Sequence, residues 1–456
     1  RFVCRPSSMT SGVILPVTPE KRPPCGWIES DSNESLSSCR TAAPSSGERS
    51  DFDRVHRLFE DPLEASPCSS LQERLLAREV DDNERLVYWE SIFVVLPCFS
   101  GYAALFGLQH EVKVRLRIAD DSSQASHHFG AAVSCLYLFG LIFRIAHKVV
   151  FSSLNPRVRV HVALTCMTLS MLVMSVIILT LECYDLYWVI ISYSLGGAAI
   201  GSFESNLLNC LTPFGHRTKR LAILGIPLGV NSILIGGFFI MGPPLQVSVT
   251  AVFAGVAAFN LIGMIVFALW IPPSGATVKA GGVNELVADC KGCRHWLPLL
   301  WHYPLAFAVD TFTLAGFSPG LSLYVYNKDV VEVTESFVLE TKTFFAFYNT
   351  ANMFGGLFGR WLSYRLQQRH PATYVGFSLL GAFLLVLQEP VLAPAGAFLV
   401  MLGDGLIYGT ISRHVDSVIP QEFNLIAISY WLFIGDVGSL IGSSLISYLH
   451  DWLVVT

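Results

Sequence analysis

The sequence predicts an all-α integral membrane protein of about eleven transmembrane helices arranged as two bundles, and three observations carry that reading. Hydrophobic residues make up 52% of the chain and charged residues only 14%, with a mean hydropathy of +0.51; soluble domains carry about 25% charge. From Val87 onward apolar runs recur, most of them near the ~20 residues that cross a bilayer. The longest break, "PPSGATVKAGGVNELVADCKGCRH", follows the sixth run, so the layout is six helices, a loop and five more. Membrane proteins built from two halves have this form.

Residues 1–84 are rich in Ser, Pro, Glu and Arg and lack any apolar period, as in "SDSNESLSSCRTAAPSSGERSDFDR". Such a segment cannot bury enough apolar surface to fold, which makes it a disordered tail. It closes with "LQERLLAREVDDNERLVYW", whose Leu71, Leu75 and Leu76 suit one short amphipathic turn. The first bundle, 85–272, takes spans at about 88–109, 129–151, 160–182, 186–212, 220–241 and 247–271. An inter-bundle loop covers 273–296. The second bundle, 297–456, takes spans at about 297–326, 343–365, 372–388, 391–412 and 424–449.

Lys and Arg concentrate in the even-numbered connections: Lys148, Arg157 and Arg159; Arg217, Lys219 and Arg220; Lys279, Lys291 and Arg294; Arg365 and Arg369; Arg413. The positive-inside bias makes these loops and the N-terminal tail cytosolic, and eleven crossings put the C-terminus on the opposite side. The first loop, with Lys113, Arg115 and Arg117, runs against the trend. The sequon at Asn33 falls in the tail and stays unglycosylated if the tail is cytosolic. The chain opens on Arg1 rather than Met, and nothing rests on where it begins.

Composition also excludes. A formal charge of −5 with no dominant basic block offers nucleic acid no binding surface. There is no P-loop, no G-x-S-x-G elbow and no H-E-x-x-H helix, which removes an ATP-driven pump and most hydrolases. No cofactor is implied. Of eleven cysteines, only Cys290 and Cys293 in "CKGC", near His295, have ligand-like spacing. A zinc site needs a fourth ligand, so a pair of reduced thiols is the plainer reading and no metal is expected.

Ionisable groups inside spans are costly and so face a cavity or a partner. They are Glu204 in the fourth span, Arg144 and His147 in the second, Asp310 in the seventh, Arg360 in the eighth, Asp404 in the tenth and Asp436 in the eleventh. Ser202, Ser205, Asn206 and Asn209 recur at three- and four-residue spacing with Glu204, which reads as one inward polar stripe that includes the acid. The carboxylate there either meets a cation or a proton, or is locked to Arg144 or Arg360 as a strut between helices. Asp310 lies between Pro304 and Gly316, residues that let a helix break and expose backbone beside the acid, and His302 precedes it by two turns. Gly438 and Gly442 beside Asp436 form a small-residue packing face, and Gly403 and Gly405 flank Asp404.

Several segments in order resemble the battenin family of lysosomal and vacuolar membrane proteins, distant relatives of the major facilitator and equilibrative nucleoside transporters. The closing stretch "YGTISRHVDSVIPQEFNLIAISYWLFIGDVGSLIGSSLISYLHDWL" matches its pattern at Tyr408, His414, Glu422, Phe423, Asp436, Gly438, Gly442, Leu449, His450 and Asp451. "SLGGAAIGSFES" with "LAILGIPLG" is similar at Glu204, Gly225 and Gly229, "NPRVRV" with Arg144 is similar after the second span, and Asp310 with Gly316 reproduces an acid–glycine spacing. Two departures stand out: "GIPLG" lacks the family's Gly-Thr-Gly, and the "GLFGR" ending at Arg360 looks more like a nucleoside transporter. The resemblance implies a major facilitator-like carrier, not an enzyme, in the membrane of a lysosome or vacuole. It would export a small polar or zwitterionic solute, a glycerophosphodiester or basic amino acid, with or without protons, and support organelle pH. Glu204, Asp310, Arg144, Arg360, Asn206, Asp436 and His302 are the residues placed on the pathway. The alternatives are an equilibrative nucleoside carrier and a non-transporting scaffold that recruits cytosolic proteins through its tail.

Overall fold

The structure, a computed structural model, describes residues 86–118, 124–242, 244–273, 283–326, 330–334, 336–366, 370–419 and 421–445. The tail, its amphipathic turn and residues 274–282 of the inter-bundle loop lie outside these, as do Leu449, His450 and Asp451 and the side chains of Cys290, His295 and Glu422.

A helix occupies each apolar stretch. In the first part of the chain these are α1 (Ser91–Gly107), a short α2 (Gln109–Arg115), α3 (Gln124–Val150), α4 (Pro156–Leu172, running on through a π turn to Ile178), α5 (Leu186–Leu211), α6 (Gly215–Leu234), a short α7 (Gly236–Met241) and α8 (Val249–Trp270). The second part holds α9 (Val283–Leu300), α10 (His302–Ala315), a π turn at Gly316–Leu321, α11 (Ser322–Val325), α12 (Thr341–Ser363), α13 (Ala372–Val386), α14 (Ala393–Val418) and α15 (Gln421–Ser444). Six helical stretches among the described residues are long and apolar enough to cross a membrane, seven if α1 and α2, bent by 55°, count as one. The protein is an all-α, multi-pass membrane protein.

One of the six stretches, Leu186–Met241, is 56 residues long, about 84 Å as a straight helix against a hydrocarbon layer of about 30 Å. It folds back on itself. A 3₁₀ turn at Thr212–Phe214 leads into Gly215 at φ 84°, a conformation that a side chain disfavours. The helices on either side run in opposite directions, which their contacts with α1 establish. Along α6 the chain ascends with α1, Thr218 meeting Tyr88 and Gly229 meeting Ser100. Along α5 it descends, Tyr193 meeting the Leu105 carbonyl and Phe203 meeting Phe99.

Helix pairing repeats between the two parts. α1 packs on α6, α3 on α5 and α4 on α5; α10 packs on α15, α12 on α14 and α13 on α14. In span order, each pair of the second set is the first set displaced by six. α5 and α14 are the central helices, with 17 and 16 of their 26 residues buried. The parts meet where α6 packs on α12 and where α15 packs on α3 and α5. Glycine permits the tightest crossings in both. A Cβ on Gly201 of α5 would fall on the Gly140 carbonyl of α3, and one on Gly359 of α12 would lie 2.5 Å from the Leu402 carbonyl of α14. The expected small-residue face of α15 is used likewise, Gly438 and Gly442 lying against α10.

Three features differ from the sequence reading. The helix α9 begins at Val283, inside the expected inter-bundle loop, where it buries Trp296 and sets Gly292 against the Phe423 ring. Too polar to read as a span, this stretch is held by one apolar side. The seventh span is broken after α10, where Ser318 takes φ −134° and ψ 99° beside Pro319. A short antiparallel hairpin, β1 (Val330–Thr334) with β2 (Phe337–Glu340), fills the following connection, pairing Val331 with Leu339 and Glu332 with Val338. Its valines suit strands.

Overpacking a crossing costs typically about 1–3 kcal/mol, so Gly201→Val lowers the thermal midpoint of the detergent-solubilised protein. Gly255→Ala, where a Cβ meets nothing within 4 Å, leaves the midpoint unchanged or raises it.

Candidate functional site

The buried charges converge on the junction of the two parts. Arg144, near the end of α3, places Nη1 2.6 Å from Glu204 Oε2 on α5 and Nε 2.6 Å from Asp436 Oδ2 on α15. Burial of a lone charge is prohibitive, so one guanidinium between two carboxylates answers two problems with one group. The second Glu204 oxygen accepts a hydrogen bond from the Tyr408 hydroxyl of α14. Glu204 is thereby held from both sides of the junction, by an arginine of the first part of the chain and a phenol of the second.

A second ion pair follows on the far side of Tyr408. The Arg360 guanidinium of α12 lies over the Tyr408 ring, 5.1 Å from its centroid, and Nη2 reaches Asp404 Oδ2 at 2.9 Å. Trp431 and Phe307 pack edge-on around the same ring, at 4.9 and 6.0 Å. Arg360 is not saturated: its Nε and Nη1 are buried and have no hydrogen-bond partner among the described residues. The two pairs are counterparts in the repeat, α3 to α5 and α12 to α14.

Asp310 completes the group. Fully buried on α10, it accepts a hydrogen bond from Ser378 of α13 through one oxygen, while the other has no partner among the described residues. No arginine or lysine pairs with it there. Among the described residues, Glu204, Asp404 and Asp436 therefore share two guanidiniums and Asp310 has neither. A cavity of about 10 Å³, lined by Glu204, Tyr408, Phe99, Leu207, Leu208 and Ile223 among others, lies against this group. That is about the room of one water, so a solute enters only if helices move apart.

The structure corrects one sequence expectation. Glu204 does not share a face with the stripe of Ser202, Ser205, Asn206 and Asn209. At 100° per residue it stands with Leu207 and Leu208, which line the cavity with it. The stripe is turned into its own helix: Ser202 bonds the Ala198 carbonyl and Asn206 the Ser202 carbonyl, although Asn206 Oδ1 is buried without a partner among the described residues. His302 is exposed, its ring against Trp301, and joins none of these pairs. His147 is buried and held by the Phe143 carbonyl at 2.8 Å within its own helix.

Sequence reasoning also missed two groups. Tyr408 entered only as a matching residue, since a lone Tyr in an apolar run carries no charge to flag it. Lys219 was counted as a loop cation, yet it is 1% exposed and bonded to Asp416 on α14. Among the described residues no cluster of His, Cys, Asp and Glu is placed to hold a metal. No protein-family model and no curated protein matches the chain.

Removing one partner of a buried ion pair costs roughly 3–5 kcal/mol. Arg144→Ala strands Glu204 and is expected to destabilise by about that amount in thermal unfolding, whereas Arg144→Met combined with Glu204→Gln and Asp436→Asn recovers most of the loss.

Proposed function

We propose that this protein is a battenin-like secondary transporter of the lysosomal or vacuolar membrane, with eleven crossings in a six-plus-five, major facilitator-like arrangement. The N-terminus faces the cytosol and the C-terminus the lumen. The likeness to battenins rests on the motifs of the sequence, and the repeated helix pairing supports the two-bundle plan. The observation that carries a transport reading is the excess of acids over cations at the bundle junction, with Asp310 lacking a cation among the described residues.

In this reading Asp310 is the proton-binding group. An unpaired buried carboxylate is tolerated when it holds a proton and becomes costly when it loses it. An acidic lumen loads it, and the cytosol unloads it. Because it neighbours the Arg360–Asp404 pair, its protonation alters how firmly Asp404 competes for that guanidinium. Arg360, two of whose nitrogens have no hydrogen-bond partner among the described residues, is the contact for an anionic group of the solute. Arg144, already shared by two carboxylates, serves as the hinge point between bundles, and Glu204 takes either Tyr408 or a cationic group. The solute is small and polar or zwitterionic, a glycerophosphodiester or a basic amino acid, and its export supports organelle pH. The alternation follows from two conformations whose populations protonation shifts.

The nucleoside-carrier reading draws on "GLFGR" and the unpaired face of Arg360. Both are tested in proteoliposomes with an imposed pH gradient, offering labelled lysine and a labelled glycerophosphodiester with uridine as competitor. Gradient-driven uptake falls at least about tenfold, 1.4 kcal/mol in coupling, in Asp310→Asn and Glu204→Gln. Parental uptake by both variants would refute the assignment, and competition by uridine would favour the nucleoside carrier. A scaffold acting through residues 1–84 would show no flux and would lose its cellular role when they are deleted.

A further inference from the structure

A second polar cluster joins the bundles at the end of the helices that holds the α5–α6 turn. Lys219 of α6 is 1% exposed, and its Nζ lies 2.6 and 2.7 Å from the two carboxylate oxygens of Asp416, near the end of α14. The same carboxylate accepts from Asn424 Nδ2 of α15 at 3.0 Å and from Thr212 Oγ1 at 3.5 Å, and His216 Nδ1 stands 3.8 Å away. Thr212, His216 and Lys219 belong to the first bundle; Asp416 and Asn424 belong to the second. The carboxylate is thus clasped from both.

The position of the clasp gives it a purpose. Ala222, Ile223 and Ile226 of α6 and Leu207 and Leu208 of α5 line the small cavity against Glu204 and Tyr408. Lys219 precedes Ala222 and Ile223 by one turn, and Thr212 follows Leu208 by one turn, so the clasp is the next layer outward from the cavity. Arg144 with Asp436 and Glu204 with Tyr408 cross the junction deeper. Opening a path from this end to the acid group requires the Lys219–Asp416 contact to break before the deeper pairs are reached.

We propose that Lys219 and Asp416 form the latch of a gate: joined, they close this end of the central pathway, and their separation opens it. The chemistry suits a reversible closure. A buried ion pair holds while it is dry and loosens once water reaches it, because solvation of both charges replaces their attraction. An apolar seam at the same place would lack that response to water. The inference rests on the two-bundle transporter reading for its purpose, but opening itself is measurable without a substrate, so the two ideas fail separately.

The test is the rate at which a membrane-impermeant maleimide labels Leu208→Cys, in a background free of other cysteines, in detergent-solubilised full-length protein. Leu208 is 3% exposed and lines the cavity. The charged pair is removed with Lys219→Gln and Asp416→Asn together, which leaves neither charge stranded. A latch predicts labelling at least about tenfold faster in this double variant, with an elution profile and melting temperature like the parent's. The proposal is overturned if the folded double variant labels within about twofold of the parent. It is also overturned if Arg157→Gln, which breaks a contact from Arg157 to the Phe267 and Ala268 carbonyls inside the first bundle, speeds labelling as much.

Discussion

Arg144 is the group on which the buried charges depend. Its guanidinium stands 2.6 Å from a carboxylate on α5 and 2.6 Å from one on α15, so it ties the first part of the chain to the second while satisfying one acid from each. Everything else at the junction is arranged around that choice. Glu204, oriented by Arg144, presents its other oxygen to Tyr408. Tyr408, held in turn by Trp431 and Phe307, presents its ring face to Arg360. A chain of contacts therefore runs from one bundle to the other with a charged or polar group at each step, in a medium where an unpaired charge is prohibitive.

The same device occurs twice. An arginine on α3 meets an acid on α5, and an arginine on α12 meets an acid on α14, in helix pairs that correspond across the repeat. What breaks the symmetry is Asp310. The α1 sequence contains no acid to match it, so after Arg360 meets Asp404 and Arg144 meets Asp436, Asp310 is left without a guanidinium among the described residues. A structural strut needs balanced charge. The imbalance beside this junction is what the proposed proton exchange at Asp310 rests on.

Most of the helices were legible because periodic apolar runs of near-bilayer length have few other interpretations. The acids and arginines were legible too, since each interrupts such a run. Partners were not. Arg144 and Asp436 are separated by 292 residues, and nothing local says that they meet. The stripe near Glu204 was misread because three- and four-residue spacing among Ser202, Ser205, Asn206 and Asn209 defines a face, but Glu204 lies off it. Lys219 looked like a loop cation because it adjoins Arg217 and Arg220; only the tertiary structure turns it inward to Asp416. The β hairpin escaped because a short, mixed segment carries a weak periodic signal, and α9 because its 18 residues are too polar to read as a span.

The central claim is that the two bundles move against each other and that a proton at Asp310 biases the movement. Spin labels at the exposed positions Ser153, after α3, and Leu366, after α12, report the separation of the bundles by double electron–electron resonance in lipid nanodiscs. The account predicts two distance populations whose ratio changes between pH 7 and pH 5 in the parent and stays fixed in Asp310→Asn. A single distance, the same at both pH values and in both proteins, would contradict it.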